Sequence, residues 1–297
     1  MSTAYLFPGQ GSHAVGMGRN AADASGRARD LFAQADDILG FALSDLCFDG
    51  PLETLTSTEN QQVALYVTSL ATLMGMEDSD TDYGAPAFVA GHSLGEFSAL
   101  TAAGSLDFAA GLRLVRRRGE LMKEAGEKSP GSMAAVLGLD TATVVAGCNQ
   151  IDGIVQVAND NCPGQIVVSG ESSAVEAVLP ILSNMGARKV VPLAITIAAH
   201  SPLMGTAAEA FAQAVAETDI ADPTIPVIGN TTAAPLVTAA DIRAELNAQL
   251  TGSVRWTESM TYLVNQGVDT IVEVGSGDVL QKLMKRVNRK VKRVAFK

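Results

Sequence analysis

The chain has 297 residues, 47% of them hydrophobic and 18% charged, with a formal net charge of −11. That balance excludes a disordered chain and argues against nucleic acid as a general partner. No apolar run reaches the ~18 residues a membrane span needs, and the N-terminus lacks a signal peptide's basic start and long apolar core. Three cysteines, odd in number and without CxxC spacing, predict thiols in a reducing cytoplasm and no metal site.

In chain order, residues 4–7 predict a short strand and Pro8 to Ser12 a turn. Gly9-Gln10-Gly11-Ser12-His13-Ala14 fits the glycine pattern of a dinucleotide-binding loop. The second strand and acidic residue that such a loop needs about 20 residues later are missing, because residues 28–39 have helical spacing. Residues 43–55 read as loop and short helix, and the nearly continuous apolar stretch 60–74 as a helix buried on most sides. A strand over 87–90 and a helix over 94–103 follow. Next comes an amphipathic helix over 107–125, with Phe108, Leu112, Val115, Gly119 and Met122 at spacings of four and three.

From about Gly126 the texture changes. Strands at 131–139, 154–158, 165–169 and 187–193 alternate with helices at 141–150 and 172–185, the second containing Pro180. The order βαββαβ is the ferredoxin-like arrangement, inserted between 127 and 198. Ser201-Pro202 suits a helix start, with the helix running to about Glu217. A strand at 225–228, helices at 241–250 and 260–265, and a strand at 270–274 complete a mostly parallel α/β structure over 1–126 and 199–297. The last 16 positions hold eight of the 21 basic residues. They predict a solvated helix and tail, or a patch for an acidic protein or phosphorylated ligand.

The chemistry centres on Gly91-His92-Ser93-Leu94-Gly95. Gly-x-Ser-x-Gly between a strand and a helix is a nucleophile elbow, with Ser93 at the tip and the Leu94 N–H offered to an oxyanion. Of the three histidines, His92 adjoins the serine, so its ring projects away, and His13 lies in the first loop. His200 follows Ser93 in sequence and immediately precedes a helix start, which makes it the candidate base. No acidic third member stands out between them. Arg118 has apolar residues at its i±3 and i±4 positions and no helical partner, unlike Arg116 and Arg117, which have Glu120. It therefore needs an anion from elsewhere, either a distant carboxylate or an anionic substrate.

Leu6-Phe7-Pro8-Gly9-Gln10-Gly11-Ser12, Gly91 to Leu100, Arg118-Gly119, Ser132 to Val136, Ala158 to Gln165 and His200-Ser201-Pro202-Leu203-Met204 stand in a characteristic order and spacing. It resembles that of the malonyl-CoA:acyl carrier protein transacylases, from residue 4 to about 285. The resemblance implies a hydrolase-like α/β domain carrying the ferredoxin-like insertion. It implies that Ser93 is acylated and His200 is its base, that Gln10 and Leu94 form the oxyanion hole, and that Arg118 grips the malonyl carboxylate. It assigns the Gln249 backbone carbonyl to orient the histidine, which accounts for the missing acid. His92, Met122, Met133, Asn161 and Ala199 are candidates for the acyl pocket. The implied substrates are malonyl-CoA and phosphopantetheinylated acyl carrier protein, with no bound cofactor, no metal, no membrane and a monomeric state.

Three positions depart from the family pattern: His13 replaces a common Gln, Val63 a common Pro, and Ala199 an aromatic residue that often precedes the histidine. The small Ala199 leaves room for an α-substituent, so methylmalonyl-CoA is expected as a slow substrate. The same serine and histidine also fit a thioesterase or esterase, and a polyketide acyltransferase shares the motifs. A non-catalytic carrier-binding module fits poorly with an intact Ser, His, Arg and Gln set.

Overall fold

The computed structural model describes residues 2–81 and 83–297, so Met1 and Asp82 lie outside the description. The described residues hold ten strands, in chain order β1 (Thr3–Phe7), β2 (Phe88–Gly91), β3 (Gly131–Leu137), β4 (Val155–Cys162), β5 (Gln165–Glu171), β6 (Lys189–Pro192), β7 (Val227–Ile228), β8 (Pro235–Leu236), β9 (Thr270–Val274) and β10 (Lys292–Phe296). Among the described residues they form two sheets, a six-stranded one in the order β10-β9-β1-β2-β7-β8 and a four-stranded one in the order β4-β5-β3-β6.

The larger sheet is parallel except for the β7–β8 pair. Every residue of β1 and β9 is buried, as expected for central parallel strands covered on both faces. One cover is the helix Thr58–Glu77, apolar nearly all round and packed on the helix Phe108–Lys128. Asp107 caps that second helix by accepting from the Ala109 and Ala110 N–H groups.

The smaller sheet is antiparallel throughout, with the ferredoxin-like strand order. Val144, Val175, Val178 and Leu182 of its two helices pack on Ala134, Val136 and Val168 of its strands. Its β4 is also joined to the main body. The Asp160 N–H donates to the Val254 carbonyl at 2.9 Å, and the Val254 N–H donates to the Ala158 carbonyl at 2.8 Å.

The C-terminus differs from the solvated tail that its charge predicts. Residues 279–287 are helical as one reading expected, but Lys292–Phe296 then pairs in parallel with β9 as an edge strand. Val291 is buried, and Val294 and Phe296 pack against the core while lysines point outward, so basic residues mask a strand pattern. A short helix at Arg19–Ala24 adds to the expected elements; it has no side-chain cap and no acidic first turn to signal it. The next helix begins at Gly26 rather than Ala28, because the Ser25 side chain accepts from the Ala28 N–H.

Candidate active site

β2 ends at Gly91 and the next helix begins at Gly95, so Ser93 sits on a sharp turn with φ of +50°. The neighbouring glycines are sterically required. A Cβ on Gly91 would overlap the Gly95 carbonyl, one on Gly95 would overlap the Phe7 carbonyl, and one on Gly9 the His92 carbonyl. Leu94 is the N-cap of the elbow helix, so its N–H belongs to the set that finds no intrahelical acceptor.

Ser93 Oγ lies 2.9 Å from His200 Nε2, although 107 residues separate the two in sequence. His200 Nδ1 donates to the Gln249 carbonyl at 2.9 Å and lies 3.1 Å from that of Gly252. Two carbonyl acceptors on one side of the ring put the proton on Nδ1 and leave Nε2 free to accept from the Ser93 hydroxyl. No carboxylate takes part in orienting this ring among the described residues. The backbone of His200 is itself in the left-handed region, at φ of +57°. Gln156 of β4 holds its carbonyl at 2.8 Å and the Thr251 carbonyl at 3.1 Å, so the small sheet braces the base. Burial, then the nearby Arg118 charge, lowers the His200 pKa from 6.5 to about 3.

Arg118 is fully buried. Nη1 donates to Gln62 Oε1 at 2.7 Å, and Nη2 to Gln249 Oε1 at 3.0 Å and Ser93 Oγ at 3.2 Å. Its Nε is buried without an acceptor, and the Phe97 ring centroid lies 5.6 Å from the guanidinium carbon. Neutral amides and a hydroxyl hold this cation, and the distant-carboxylate ion pair weighed from sequence is absent among the described residues. Arg116 and Arg117 both pair with Glu120 as their spacing predicts.

Gln10, Met122, Met133 and Ala199 line a cavity of about 580 Å³, together with His13 and Ile197. Gln10 Nε2 donates to Gln61 Oε1 at 2.8 Å, and Gln61 Nε2 lies 2.5 Å from His13 Nδ1. Two acyl-pocket candidates are set apart from this cavity. His92 precedes the serine on the turn and directs its ring to Asn161 Oδ1, 2.7 Å from Nε2, with the ring edge on Trp256. Sequence reasoning gave no role to Gln62, Asn230 or Gln156. Asn230 Oδ1 accepts the Ser93 N–H at 2.7 Å. Its only sequence signal is its place just beyond a parallel strand's C-terminal end, where α/β sheets build sites. Among the described residues no group of three His, Cys, Asp or Glu side chains could hold a metal ion.

The acyl transferase domain model matches residues 4–296. A malonyl CoA-acyl carrier protein transacylase of Bacillus subtilis is 43% identical over 295 residues, covering 98% of this chain and 92% of that protein. The chain belongs to the malonyl-CoA:acyl carrier protein transacylase family. The crystal structure of an acyl-carrier-protein S-malonyltransferase from Bartonella henselae superposes with a TM-score of 0.95 at 41% identity, covering 100% of this chain and 95% of that one. A malonyl-transacylase solved in complex with its type II polyketide synthase acyl-carrier protein gives 0.95 at 37% identity, covering 99% and 96%.

Proposed function

We propose that this chain is an [acyl-carrier-protein] S-malonyltransferase, moving malonyl from malonyl-CoA to the phosphopantetheine thiol of acyl carrier protein through a malonyl-Ser93 ester. The observation that carries the reading is a buried cation beside the nucleophile whose hydrogen-bond partners are all neutral, with the Glu96 carboxyl one amide away rather than in contact. A carboxylated acyl group supplies an anion in direct contact, which an acetyl group cannot.

The chemistry follows from the geometry. Ser93 gives its proton to His200 Nε2 as Oγ attacks the thioester carbonyl, and the oxyanion is met by the Leu94 and Gln10 N–H groups. His200 returns the proton to the departing CoA thiolate, leaving the malonyl ester. The carrier thiol then enters, gives its proton to His200 and attacks the ester carbonyl; the bond to Ser93 Oγ breaks, malonyl leaves on the carrier sulfur, and His200 returns the proton to Ser93 Oγ. Substrate binding also tunes the base. A malonyl carboxylate on Arg118 offsets the charge that depresses His200, so proton affinity rises when substrate is in place.

The transfer serves fatty acid biosynthesis, and acyl carrier protein as partner is supported by the solved transacylase–carrier complex, whose type II polyketide carrier also motivates the second reading, supply of a polyketide carrier. A reducing, cytoplasmic setting fits three buried, unpaired thiols, and no helix among the described residues is long and apolar enough to cross a membrane.

Intact-mass measurement after exposure to malonyl-, methylmalonyl- and acetyl-CoA tests the reading, with Ser93→Ala as control. A malonyl adduct lost in the variant and discharged by holo-acyl carrier protein is expected, with slow methylmalonyl loading into the space beside Ala199. CoA release to water, with no transfer to the carrier, would favour the thioesterase instead.

A further inference from the structure

We propose that Glu96 is a positioning residue, a buried acid that sets two amides so that they hold the nucleophile's backbone and the malonyl-gripping arginine together. The inference rests on the malonyl-transfer reading and gives a role to the glutamate that ends the elbow motif.

Glu96 is fully buried and makes no ion pair among the described residues. Three N–H groups converge on it: the Asn230 N–H at 2.8 Å and Asn230 Nδ2 at 2.9 Å on Oε1, and Gln249 Nε2 on Oε2. An ionised carboxylate only accepts, so an amide oxygen turned toward it would meet repulsion instead of a hydrogen bond. Both amides are therefore fixed with nitrogen toward Glu96, and their oxygens must face away. Asn230 Oδ1 then meets the Ser93 N–H at 2.7 Å, and Gln249 Oε1 meets Arg118 Nη2 at 3.0 Å. Gln249 Nε2 also donates to the Ser93 carbonyl at 3.0 Å, and Asn230 Nδ2 to the Gly91 carbonyl at 2.7 Å.

Both backbone groups of the nucleophile are thus held by side chains that Glu96 orients. This matters because Ser93 occupies the left-handed region, at φ of +50°, a conformation that persists only when the surroundings impose it. The backbone carbonyl of the same Gln249 orients His200. One acid therefore connects nucleophile, base and arginine, yet the Gln249 amide separates it from Arg118 and leaves that cation available to substrate. Burial, then the neighbouring Glu245, pushes the Glu96 pKa upward, but with N–H donors on both oxygens a carboxyl proton would have no acceptor, so the hydrogen-bonding geometry is that of the ionised form. A purely structural site of this size could be filled more cheaply by an apolar side chain.

Glu96→Gln is the test, read by single-turnover malonyl and acetyl loading with intact-mass detection. The new amide brings a donor into a cluster of donors, so Gln249 or Asn230 must turn over. The expected result is a folded variant whose malonyl loading falls about 10²-fold, the scale of a small misplacement in a site. Its malonyl-over-acetyl preference should fall about tenfold or more, a change that loss of stability alone would not produce. A folded variant with wild-type rate and preference would overturn the proposal. Should Glu96→Gln fail to fold, Glu96→Asp keeps the charge one methylene further back. The same split is expected there, and a wild-type preference would overturn the role. Wild-type protein that never loads malonyl would sink the transferase reading itself, a result distinct from an unchanged preference in the variant.

Discussion

Arg118 and Glu96 are both buried, and the sequence marks them unequally. Arg118 stands out because Leu114, Val115, Leu121 and Met122 surround it on a helix whose other arginines have Glu120 within reach. Its need for an anion can be read from that spacing alone. Nothing local marks Asn230 or Gln249, whose bonds to Ser93 cross 137 and 156 residues. The Gln249 carbonyl could be named only from the family resemblance, and Gln62 and Asn230 not at all. At this scale Arg118→Ala is expected to lower kcat/KM for malonyl-CoA about 10²-fold, the loss of charge-assisted bonds to a carboxylate, while acetyl loading gains relative to it. Competition between the two thioesters measures this, and an unchanged preference would remove Arg118 from its role. His200 gives a pH prediction. Its pKa is depressed from 6.5 to about 3 in the free protein, so the imidazole remains neutral as pH falls through the usual histidine range. The acid limb of malonyl loading, followed as kcat/KM against pH, should lie well below 6.5. Removing the Arg118 charge should move that limb upward, and a limb at 6.5 in both proteins would contradict the assignment.

Elements with strong periodicity were legible, and those whose pattern is masked were not. The buried helix at Thr58–Glu77 and the amphipathic helix at Phe108–Lys128 follow directly from apolar content and spacing, and Asp107 marks where the latter starts. The βαββαβ order of the small sheet was visible because each strand is short, apolar and bounded by turn residues. β10 was hidden by Lys292 and Arg293, since a strand that covers one sheet edge needs apolar residues on only one side. β4 runs on to Cys162 through register shifts, a continuation that no two-residue alternation would signal. The elbow's local requirement is absolute packing space at its glycines. Gly95→Ala should therefore remove most malonyl loading, because the added methyl meets the Phe7 carbonyl and β1 or the elbow helix must shift. Full activity in that variant would show that the turn has slack the structure does not contain.

For the whole molecule, the two sheets are coupled, and the basic C-terminal helix takes part. Arg286 donates to the Pro163 and Gly164 carbonyls at 2.8 and 3.3 Å and to Gln165 Oε1 at 3.2 Å. It therefore ties the β4–β5 turn to the main body, a role that eight clustered basic residues conceal in the sequence. Arg286→Ala should lower stability by about 1 kcal/mol, the net worth of such exposed hydrogen bonds, seen as a shifted denaturant midpoint. An unchanged midpoint would leave the turn attached by other contacts alone. Against a net charge of −11 for the whole chain, the clustered basic residues of the C-terminal segment form a local surface of the sign that suits an acidic carrier.

The most direct measurement of the central claim is the structure of the trapped malonyl-enzyme. The account predicts an ester on Ser93 Oγ, with the free carboxylate hydrogen-bonded to the Arg118 guanidinium in place of its present contact with the serine. A malonyl ester whose carboxylate points into the cavity toward Met133 and Ile197, away from Arg118, would contradict it.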